Sequence, residues 1–415
     1  MIAIIPCALL LRLPPSAKLQ HLRAYCQPFV LFCSLIILSG LVAVTASNGK
    51  SVAEVLMAGA AVEGERRRGR GALSNVSGRF DRELREDADD GWGSLATMAA
   101  FETQVQTEVA RSIITTNDSP DISFDQSVNP YRGCEHRCVY CYARPSHAYL
   151  GHSPGLDFET KLYAKTNAAE VLERTLANPN YVVKTIALGS NTDPYQPIEK
   201  RLRVTRSILE VLSRANHPVG IVTKSALVVR DLDILVPMAA RGLVKVALSV
   251  TTLDRKVARA MEPRAATAAR RLEAVAQLSA AGVPTAVMVA PIVPGLTDAE
   301  IERILTAARD AGASQAGYVL LRLPLELKTL FREWLAAEFP ARADRVMSLL
   351  QSMHGGQDYV ATFGHRQKGS GPYAEQIGQR FRLALRRLGL DQRREVLRTD
   401  LFQPPVLAGM QYRMF

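Results

Sequence analysis

Three cysteines, Cys134, Cys138 and Cys141, lie close together at the spacing C-x3-C-x2-C. Three thiolates on one loop can bind three corners of a cubane iron–sulfur cluster. The remaining cysteines of the chain are Cys7, Cys26 and Cys33. Because no fourth cysteine lies near the motif, one iron of such a cluster would have no protein ligand. An open coordination position of this kind is typical of a reactive metal site rather than a structural one.

A structural zinc site is the alternative interpretation of the same residues. A Cys3His site would take its fourth ligand from His136, His147 or His152, which lie in the same segment. A disulfide framework of the secreted type does not fit, because the chain is long and three neighbouring cysteines cannot all pair with one another. The spacing alone leaves the cluster and the zinc site open.

The elements around the motif indicate an α/β protein. The chain has 415 residues, of which 47% are apolar, so it can bury a sizeable core. Short apolar runs are predicted as strands at Ser127–Tyr131, Val182–Leu188, Val219–Thr223, Val244–Val250, Thr285–Ile292 and Tyr318–Leu323. Segments of helical period are predicted as helices at Leu202–Ala215, Leu232–Ala240, Ala268–Ala280, Ala299–Ala311, Leu325–Phe339 and Arg345–Met353. Glycines Gly242, Gly282 and Gly312 stand at predicted helix ends.

This alternation predicts six parallel strands joined by right-handed crossovers. A partial (β/α)6 TIM-like barrel and a doubly wound sheet both fit the pattern, since periodicity does not separate them. In either fold the site lies at the carboxyl ends of the strands. We therefore expect the cysteine loop, which follows the first strand, to be part of the site. A lysine at the end of an apolar strand, Lys224, would point into the same region and needs a carboxylate partner.

Composition divides the chain into four predicted regions. They are an apolar N-terminal segment (1–58), a polar lead-in (59–120), the core barrel (121–340) and a helical, basic C-terminal extension (341–415). The run 29–44 has three interpretations: a membrane helix, a signal peptide, or residues upstream of a natural start at Met57.

Beyond the cysteines, further motifs carry a family resemblance. Tyr140 stands just before the last cysteine, and the chain contains Asn129-Pro-Tyr-Arg-Gly-Cys134, Arg144-Pro-Ser-His-Ala-Tyr149 and Asp193-Pro-Tyr-Gln-Pro-Ile-Glu199. The sequence resembles the radical S-adenosylmethionine (SAM) superfamily, in the bacterial branch related to spore photoproduct lyase, a group similar to DNA repair photolyases. The resemblance covers about residues 70 to 415.

The resemblance implies a [4Fe-4S] cluster held by Cys134, Cys138 and Cys141, with S-adenosylmethionine on the open iron. One-electron reduction would cleave the cofactor to methionine and a 5'-deoxyadenosyl radical. The implied partner is an electron donor of the flavodoxin or ferredoxin type. Because such a cluster needs a reducing compartment, the expected location is the cytoplasm, with membrane anchoring through 29–44 as the alternative.

The resemblance also implies contacts with S-adenosylmethionine. The implied contacts are Tyr140 near the adenine, Ser190, Asn191 and Asp193 at the methionine end, Lys224 at the carboxylate, and Ser249 at the ribose or carboxylate. Two groups have alternative interpretations: Ser190 to Asp193 as a turn before Pro194, and Ser249 as a hydroxyl bonded to its own backbone. The segment Ala290–Gly295 either bounds the adenine pocket or closes the barrel.

The sequence leaves the catalytic residues unassigned. Spore photoproduct lyase returns a hydrogen atom from a cysteine, and outside the motif this chain has cysteines only before residue 34. The thymine-dimer reaction is therefore in doubt, and a second cysteine-bound cluster is excluded. Tyrosines are alternative donors: Tyr142, Tyr195 or Tyr318.

Charge favours nucleic acid as the substrate. The formal net charge is +11, and residues 365–415 contain ten Lys and Arg against four Asp and Glu. A loop over Phe363–Tyr373 has the glycines, cations and aromatics for phosphate contacts. The rival hypotheses are radical modification of a protein or small molecule, and a non-catalytic zinc or cluster module that binds nucleic acid. The end of the chain, with Gln411, Met414 and Phe415, is similar to peptides that bind the sliding clamp.

Overall fold

The computed structural model describes residues 69–81, 102–391 and 396–407. Three of the features analysed above lie outside the described residues: the apolar segment 29–44, the alternative start at Met57, and the clamp-binding end with Gln411, Met414 and Phe415. Within the described residues, no helix combines the length and the apolar character that crossing a membrane requires.

In this part of the chain, ten strands form two sheets. Their bounds are β1 Gln104–Thr107, β2 Ile114–Thr116, β3 Gln126–Val128, β4 Tyr131–Arg132, β5 Lys161–Ala164, β6 Ile186–Leu188, β7 Val219–Thr223, β8 Val244–Ser249, β9 Thr285–Ile292 and β10 Gln315–Leu320. The larger sheet has the order β10-β9-β8-β7-β6-β3-β2, and the smaller has the order β1-β5-β4.

The order of the larger sheet decides between the two predicted folds. Strands β3 and β6 to β10 pair in parallel and follow the chain order from one side of the sheet to the other. A doubly wound sheet would reverse its order at a switch point, which this sheet does not do. The fold is therefore a partial (β/α)6 TIM-like barrel, as one of the two interpretations predicted. Strand β2 adds an antiparallel edge beside β3.

Helices cover the sheet between its strands. Their bounds are α1 Asp157–Thr160, α2 Ala168–Leu176, α3 Glu199–Leu202, α4 Val204–Arg214, α5 Leu232–Ala240, α6 Arg255–Met261, α7 Ala268–Ala280, α8 Ile301–Asp310, α9 Leu327–Glu338, α10 Ala343–Ser352 and α11 Pro372–Leu388. Local sequence sets several of the ends. Asp254 Oδ1 accepts hydrogen bonds from the first backbone N–H groups of α6, and Thr267 Oγ1 accepts one at α7. Gly242, Gly282 and Gly312 have positive φ just after α5, α7 and α8, as predicted.

The predicted strands and helices were found, with shifted ends. The first strand stops at Val128 rather than Tyr131, because Pro130 has no N–H to donate to a neighbouring strand. The last strand runs from Gln315 to Leu320 instead of Tyr318 to Leu323. Side chains of β9 alternate between buried and half-buried along most of its length, as expected for a strand with one face on the core.

The segment before the barrel contributes to the fold more than its polar composition indicated. Strand β1 pairs with β5, and β2 pairs with β3, so this segment contributes one strand to each sheet. Ala72, Leu73 and Val76 are buried in the main core. The boundaries at 58, 120 and 340 stay predictions.

A segment after α10 spans the open side of the barrel. Gln367 O accepts a hydrogen bond from Leu320 N on the edge strand β10 (2.9 Å). Arg366 forms an ion pair with Asp121 in the β2–β3 turn, and Gly364 N donates to the same carboxylate (2.7 Å). The segment 362–369 thus connects the two edges of the open sheet. We call it the strap.

Removing the Arg366 side chain should loosen the strap without unfolding the barrel. In Arg366→Ala we expect the amide hydrogens of Gly364 and Leu320 to exchange roughly tenfold faster or more, since local opening becomes easier. Hydrogen exchange read by mass spectrometry or NMR measures this, with Arg382→Ala on α11 as a surface control. Unchanged exchange at both amides would show that the ion pair does not hold the strap.

Candidate metal and cofactor site

The cysteine loop follows β4 and is fixed by backbone hydrogen bonds to three other segments. Cys134 N donates to Phe158 O (3.0 Å), Glu135 N to Gln196 Oε1 (2.8 Å) and Val139 N to Met261 O (3.1 Å). Gly133 begins the loop with a φ of +72°, and a Cβ atom there would lie 2.6 Å from Leu162 Cδ2. A glycine is therefore required at this position. The loop packs against the carboxyl-end segments that follow β6 and β8.

The three cysteine side chains share one buried pocket. Cys134 and Cys138 are buried and Cys141 is half-buried, and all three are free. Burial raises the pKa of each thiol, and for Cys138 the pKa rises to about 12. The Asp193 carboxylate and then the other two thiols raise the pKa of Cys134 further. Thiols that repel one another on ionisation lie close together, and a bound metal centre would stabilise their thiolate forms. The donor set therefore fits an iron–sulfur cluster.

The histidines of the zinc interpretation are engaged elsewhere. His136 Nδ1 lies 3.3 Å from Asp193 Oδ2, His147 Nε2 lies 2.9 Å from Lys161 O, and His152 Nε2 lies 2.6 Å from Tyr163 Oη. Among the described residues, no group of three or more His, Cys, Asp or Glu side chains is arranged to hold a single metal ion. The described residues thus do not form the Cys3His site.

A fully buried ion pair holds the cysteine loop in place. Arg144 binds Glu159, and the Arg144 guanidinium also donates to Cys138 O (2.9 Å) and Gly155 O (2.9 Å). The Glu159 carboxylate in turn accepts hydrogen bonds from Gly71 N (3.1 Å) and Ala72 N (2.8 Å). One carboxylate therefore connects the cysteine loop to the segment that precedes the barrel. Neither residue was among the predicted site residues.

Asp193 joins two loops at the carboxyl ends of neighbouring strands. It follows β6, and its carboxylate accepts hydrogen bonds from Tyr195 N (2.9 Å), Thr223 Oγ1 (2.7 Å) and Lys224 N (2.7 Å). Burial alone would raise its pKa, but His136 and these hydrogen bonds outweigh burial and hold the pKa well below its usual range. The bond to Tyr195 N is the turn before Pro194 that the alternative interpretation described.

The neighbours of Asp193 are held by an asparagine from the first barrel strand. Asn129 Nδ2 donates to Ser190 Oγ (3.2 Å), and Asn191 N donates to Asn129 Oδ1 (3.0 Å). Ser190 and Asn191 are half-buried. The structure thus brings Ser190, Asn191 and Asp193 beside the cysteine loop and shows what fixes each of them. Contact with a cofactor stays a prediction for all three.

Lys224 ends β7 with its ammonium group near the thiols. Its Nζ lies 5.8 Å from the centre of the Tyr140 ring. Burial lowers the pKa of Lys224, but Cys138 and Glu262 outweigh burial and raise it, so the side chain is charged. The sequence predicted a carboxylate partner, yet no carboxylate of the described residues forms an ion pair with Nζ. A cation in this position can bind an anionic group of a ligand.

A buried network that the sequence analysis missed lies on the other side of Tyr140. Tyr140 Oη donates to Glu262, which also forms an ion pair with Arg271. Thr251 Oγ1 donates to Glu262 Oε1 (2.6 Å), and Arg271 Nη1 donates to Ser249 O (2.8 Å). The network holds the Tyr140 ring and places Ser249 at the end of β8. One feature of the sequence could have indicated this network. Arg271 lies on the buried face of α7, beside Ala274 and Leu278, where an arginine needs a partner.

The three tyrosines considered as hydrogen donors differ in their surroundings. Tyr195 is fully buried and donates to Asp231 Oδ2 (3.0 Å). Tyr318 packs against Phe381 of α11, with ring centres 4.7 Å apart and the ring planes tilted by 48°. Tyr142 is 43% exposed and follows Cys141 directly. Of the three, Tyr142 alone lies next to the cysteine pocket and open to solvent.

Comparison with known proteins identifies the superfamily. A family model described as the radical SAM superfamily matches residues 128–308. An uncharacterized protein of Mycobacterium tuberculosis (strain H37Rv), Rv2578c, is 38% identical over 230 residues, which cover 55% of this chain and 68% of that protein. The chain belongs to the radical SAM superfamily. An uncharacterized protein of Methanocaldococcus jannaschii, MJ0683, is 27% identical over 173 residues, which cover 42% of this chain and 62% of that protein.

Solved structures of radical SAM proteins also match. Spore photoproduct lyase complexed with a dinucleoside spore photoproduct has a TM-score of 0.49 at 16% identity, over 74% of this chain and 85% of that chain. The radical SAM methyltransferase TsrM from Kitasatospora setae has a TM-score of 0.34 at 14% identity, over 48% of this chain and 34% of that chain. Radical SAM enzymes use a [4Fe-4S] cluster and S-adenosylmethionine, so the predicted cofactors and enzyme class are confirmed at the level of the superfamily.

Removing the charge of Glu159 should destabilise the protein strongly. Glu159→Gln leaves the Arg144 guanidinium buried without its counter-ion, which typically costs about 3–5 kcal/mol of unfolding free energy. Urea unfolding of the cluster-free protein measures this. The control is Glu170→Gln on α2, whose pair with Arg174 is 3.7 Å long and exposed. That change should cost about 0.5 kcal/mol or less. Equal effects of the two substitutions would contradict the supporting role of Glu159.

Proposed function

We propose that Cys134, Cys138 and Cys141 hold the [4Fe-4S] cluster of this radical SAM enzyme, and that its substrate is nucleic acid. The observation that supports the first part is the proximity of three free thiols, two buried and one half-buried, at the carboxyl end of the barrel. Among the residues that the structure describes, the pocket contains these three thiols and no fourth, which would leave a coordination position for S-adenosylmethionine. When bound, the cluster and this cofactor supply a one-electron cleavage that generates a 5'-deoxyadenosyl radical.

The residues around the thiols would orient the cofactor. Lys224 provides a cation near Cys138 and Cys141 that has no carboxylate partner among the described residues, and it would receive the cofactor carboxylate. Tyr140, fixed by Glu262, would border the adenine. Ser249 would contact the ribose or carboxylate, while Ser190, Asn191 and Asp193 would border the methionine end.

Exposed aromatic side chains covered by arginines support nucleic acid as the substrate. The Arg79 guanidinium carbon lies 4.6 Å from the ring centre of Phe80 and 4.7 Å from that of Tyr149. Arg322 lies 5.0 Å from the Tyr142 ring. At the fourth ring, the Arg366 guanidinium carbon lies 4.6 Å from the ring centre of Phe363. The rings are 43% to 72% exposed. Aromatic rings with adjacent cations are typical of surfaces that stack bases and bind the phosphate backbone.

These arginine–aromatic pairs belong to one region of the fold. Arg322 follows β10, and Glu326, four residues later, forms an ion pair with Arg79 (3.2 Å). The hydrogen bond from Gly364 N, the Arg366 ion pair and the charge of Arg322 together lower the pKa of Asp121. Arg322 therefore lies near the strap that carries Phe363. We call these pairs the aromatic rim. The aromatic rim includes Tyr142, which follows Cys141 directly, and it therefore adjoins the cysteine pocket.

The basic C-terminal helix adds a second positive surface. Arg382, Arg386 and Arg387 of α11 are exposed. Arg380 is engaged in an ion pair with Glu302 (2.7 Å), and Arg398 in one with Asp400 (2.6 Å). The loop Phe363–Tyr373, which overlaps the strap, was predicted to bind phosphate, and within it Arg366 is likewise neutralised by Asp121. The phosphate contacts would therefore come from the three α11 arginines together with Arg322.

The role of Lys224 predicts a loss of cofactor affinity. In Lys224→Met we expect roughly 10- to 100-fold weaker binding of S-adenosylmethionine, because a charge-assisted hydrogen bond is lost. The iron content should stay unchanged, since Lys224 is not a ligand. Equilibrium binding to the anaerobically reconstituted protein measures this, with Lys184→Met on the surface as control. Unaltered binding would remove Lys224 from the cofactor site.

The substrate hypothesis is tested by binding and by cleavage. We expect the reconstituted protein to bind single-stranded oligonucleotides and to cleave S-adenosylmethionine faster in their presence. Arg322→Ala should weaken oligonucleotide binding roughly tenfold, whereas Arg174→Ala on α2 should not. Stimulation by a protein fraction or a small molecule, with no effect of DNA or RNA, would instead favour the rival substrate classes.

A further inference from the structure

A cleft of about 620 Å³ opens beside the cysteine loop, outside the aromatic rim. It lies between the segment after β6, the 3-10 turn Ala226–Asp231 after β7, and the first half of α7. Its apolar lining comes from Pro197, Ala226, Leu227, Val229, Ala265 and Ala274. The proposed cofactor contacts do not use these residues.

The cleft reaches the cysteine loop through a buried residue. His136, which stands between Cys134 and Cys138 in the sequence, lines the cleft and is 2% exposed. Its carbonyl accepts a hydrogen bond from Arg264 N (3.4 Å), and Arg264 Nη1 forms an ion pair with Glu135 Oε1 (3.1 Å). One residue of the loop that carries the thiols therefore contributes to the lining of the cleft.

The border of the cleft is basic. Lys200, Arg264 and Arg270 line it together with one carboxylate, Glu273, which forms an ion pair with Arg270 (3.1 Å). Arg264 is paired with Glu135, so three cations at the border face two carboxylates. Arg137 and Arg70 lie near enough to Arg264 for the three charges to interact. A surface with this excess of cations attracts acidic proteins and accelerates their association.

We propose that this cleft is the docking surface for an acidic one-electron donor protein that carries a flavin or an iron–sulfur centre. The proposal rests on the proposed function, since an electron is needed only if the cysteine loop holds the cluster. In the step concerned, the donor is oxidised by one electron and the cluster is reduced by one electron, with no bond made or broken. Radical SAM enzymes as a class need such a donor.

The chemistry of the cleft favours a protein over nucleic acid as its occupant. Its lining includes two rings, His136 and Tyr195, and both are buried, so neither offers an exposed face for base stacking. The aromatic rim, by contrast, has four exposed rings. A cleft with an apolar floor and a cationic border fits the apolar centre and acidic border of a protein surface.

A paired charge reversal separates docking from catalysis. In Lys200→Glu/Arg270→Glu we expect affinity for a reduced flavodoxin to fall roughly tenfold or more at low salt, with a weaker salt dependence than the native protein. The affinity is measured by titration of the full chain and needs no turnover. Cleavage of S-adenosylmethionine driven by flavodoxin should fall in parallel, while cleavage driven by dithionite should stay within about twofold, because a small reductant does not need the docking surface.

The matched control reverses two exposed arginines on outer helices. Arg174→Glu/Arg303→Glu changes the net charge by the same amount on α2 and α8 and should leave flavodoxin affinity unchanged. Equal losses in both double variants would show a general charge effect and overturn the site. Unchanged affinity in Lys200→Glu/Arg270→Glu, or a loss of oligonucleotide binding in its place, would also overturn it. Native protein that binds flavodoxin but never cleaves S-adenosylmethionine with either reductant would instead refute the proposed function.

Discussion

Three neighbouring thiols, two buried and one half-buried, and the half-buried Lys224 impose the constraint on which the site depends. Burial raises the pKa of each thiol, while Lys224 keeps its charge without a carboxylate partner among the described residues. Ionising the buried thiols, and leaving a half-buried ammonium group without an ion pair, both cost free energy in a structure that has only to be stable. A metal centre that ionises the thiols, and an anionic cofactor beside the lysine, would remove both costs.

The rest of the fold positions these groups. The parallel strands β6, β7 and β8 end beside one another, so Asp193, Lys224 and Ser249 approach the cysteine loop from three neighbouring strands. Ion pairs that are fully buried fix the loop from two sides, through Arg144 with Glu159 and through Arg271 with Glu262. The open edges of the sheet are connected by the strap.

Local patterns in the sequence predicted the barrel strands, the main helices and the cysteine motif, because each of these depends on residues near one another in the chain. The sequence did not predict Glu262 as the partner of Tyr140 or Glu159 as the partner of Arg144 and of the Gly71 and Ala72 amides. These contacts join distant segments, and a single glutamate in a loop gives no periodic signal. The contribution of β1 and β2 was missed for the same reason, since their short polar strands become recognisable only when paired with β5 and β3. The choice between a barrel and a doubly wound sheet also needed the strand order.

Iron and sulfide analysis combined with electron paramagnetic resonance tests the central claim most directly. The protein, reconstituted and reduced under anaerobic conditions, should contain about four irons and four sulfides per chain, as a [4Fe-4S] cluster requires. Its resonance should change when S-adenosylmethionine is added, and Cys138→Ala should abolish the signal. A chain that takes up no iron and sulfide, or a Cys138→Ala variant that keeps a cluster with the same resonance, would contradict the account.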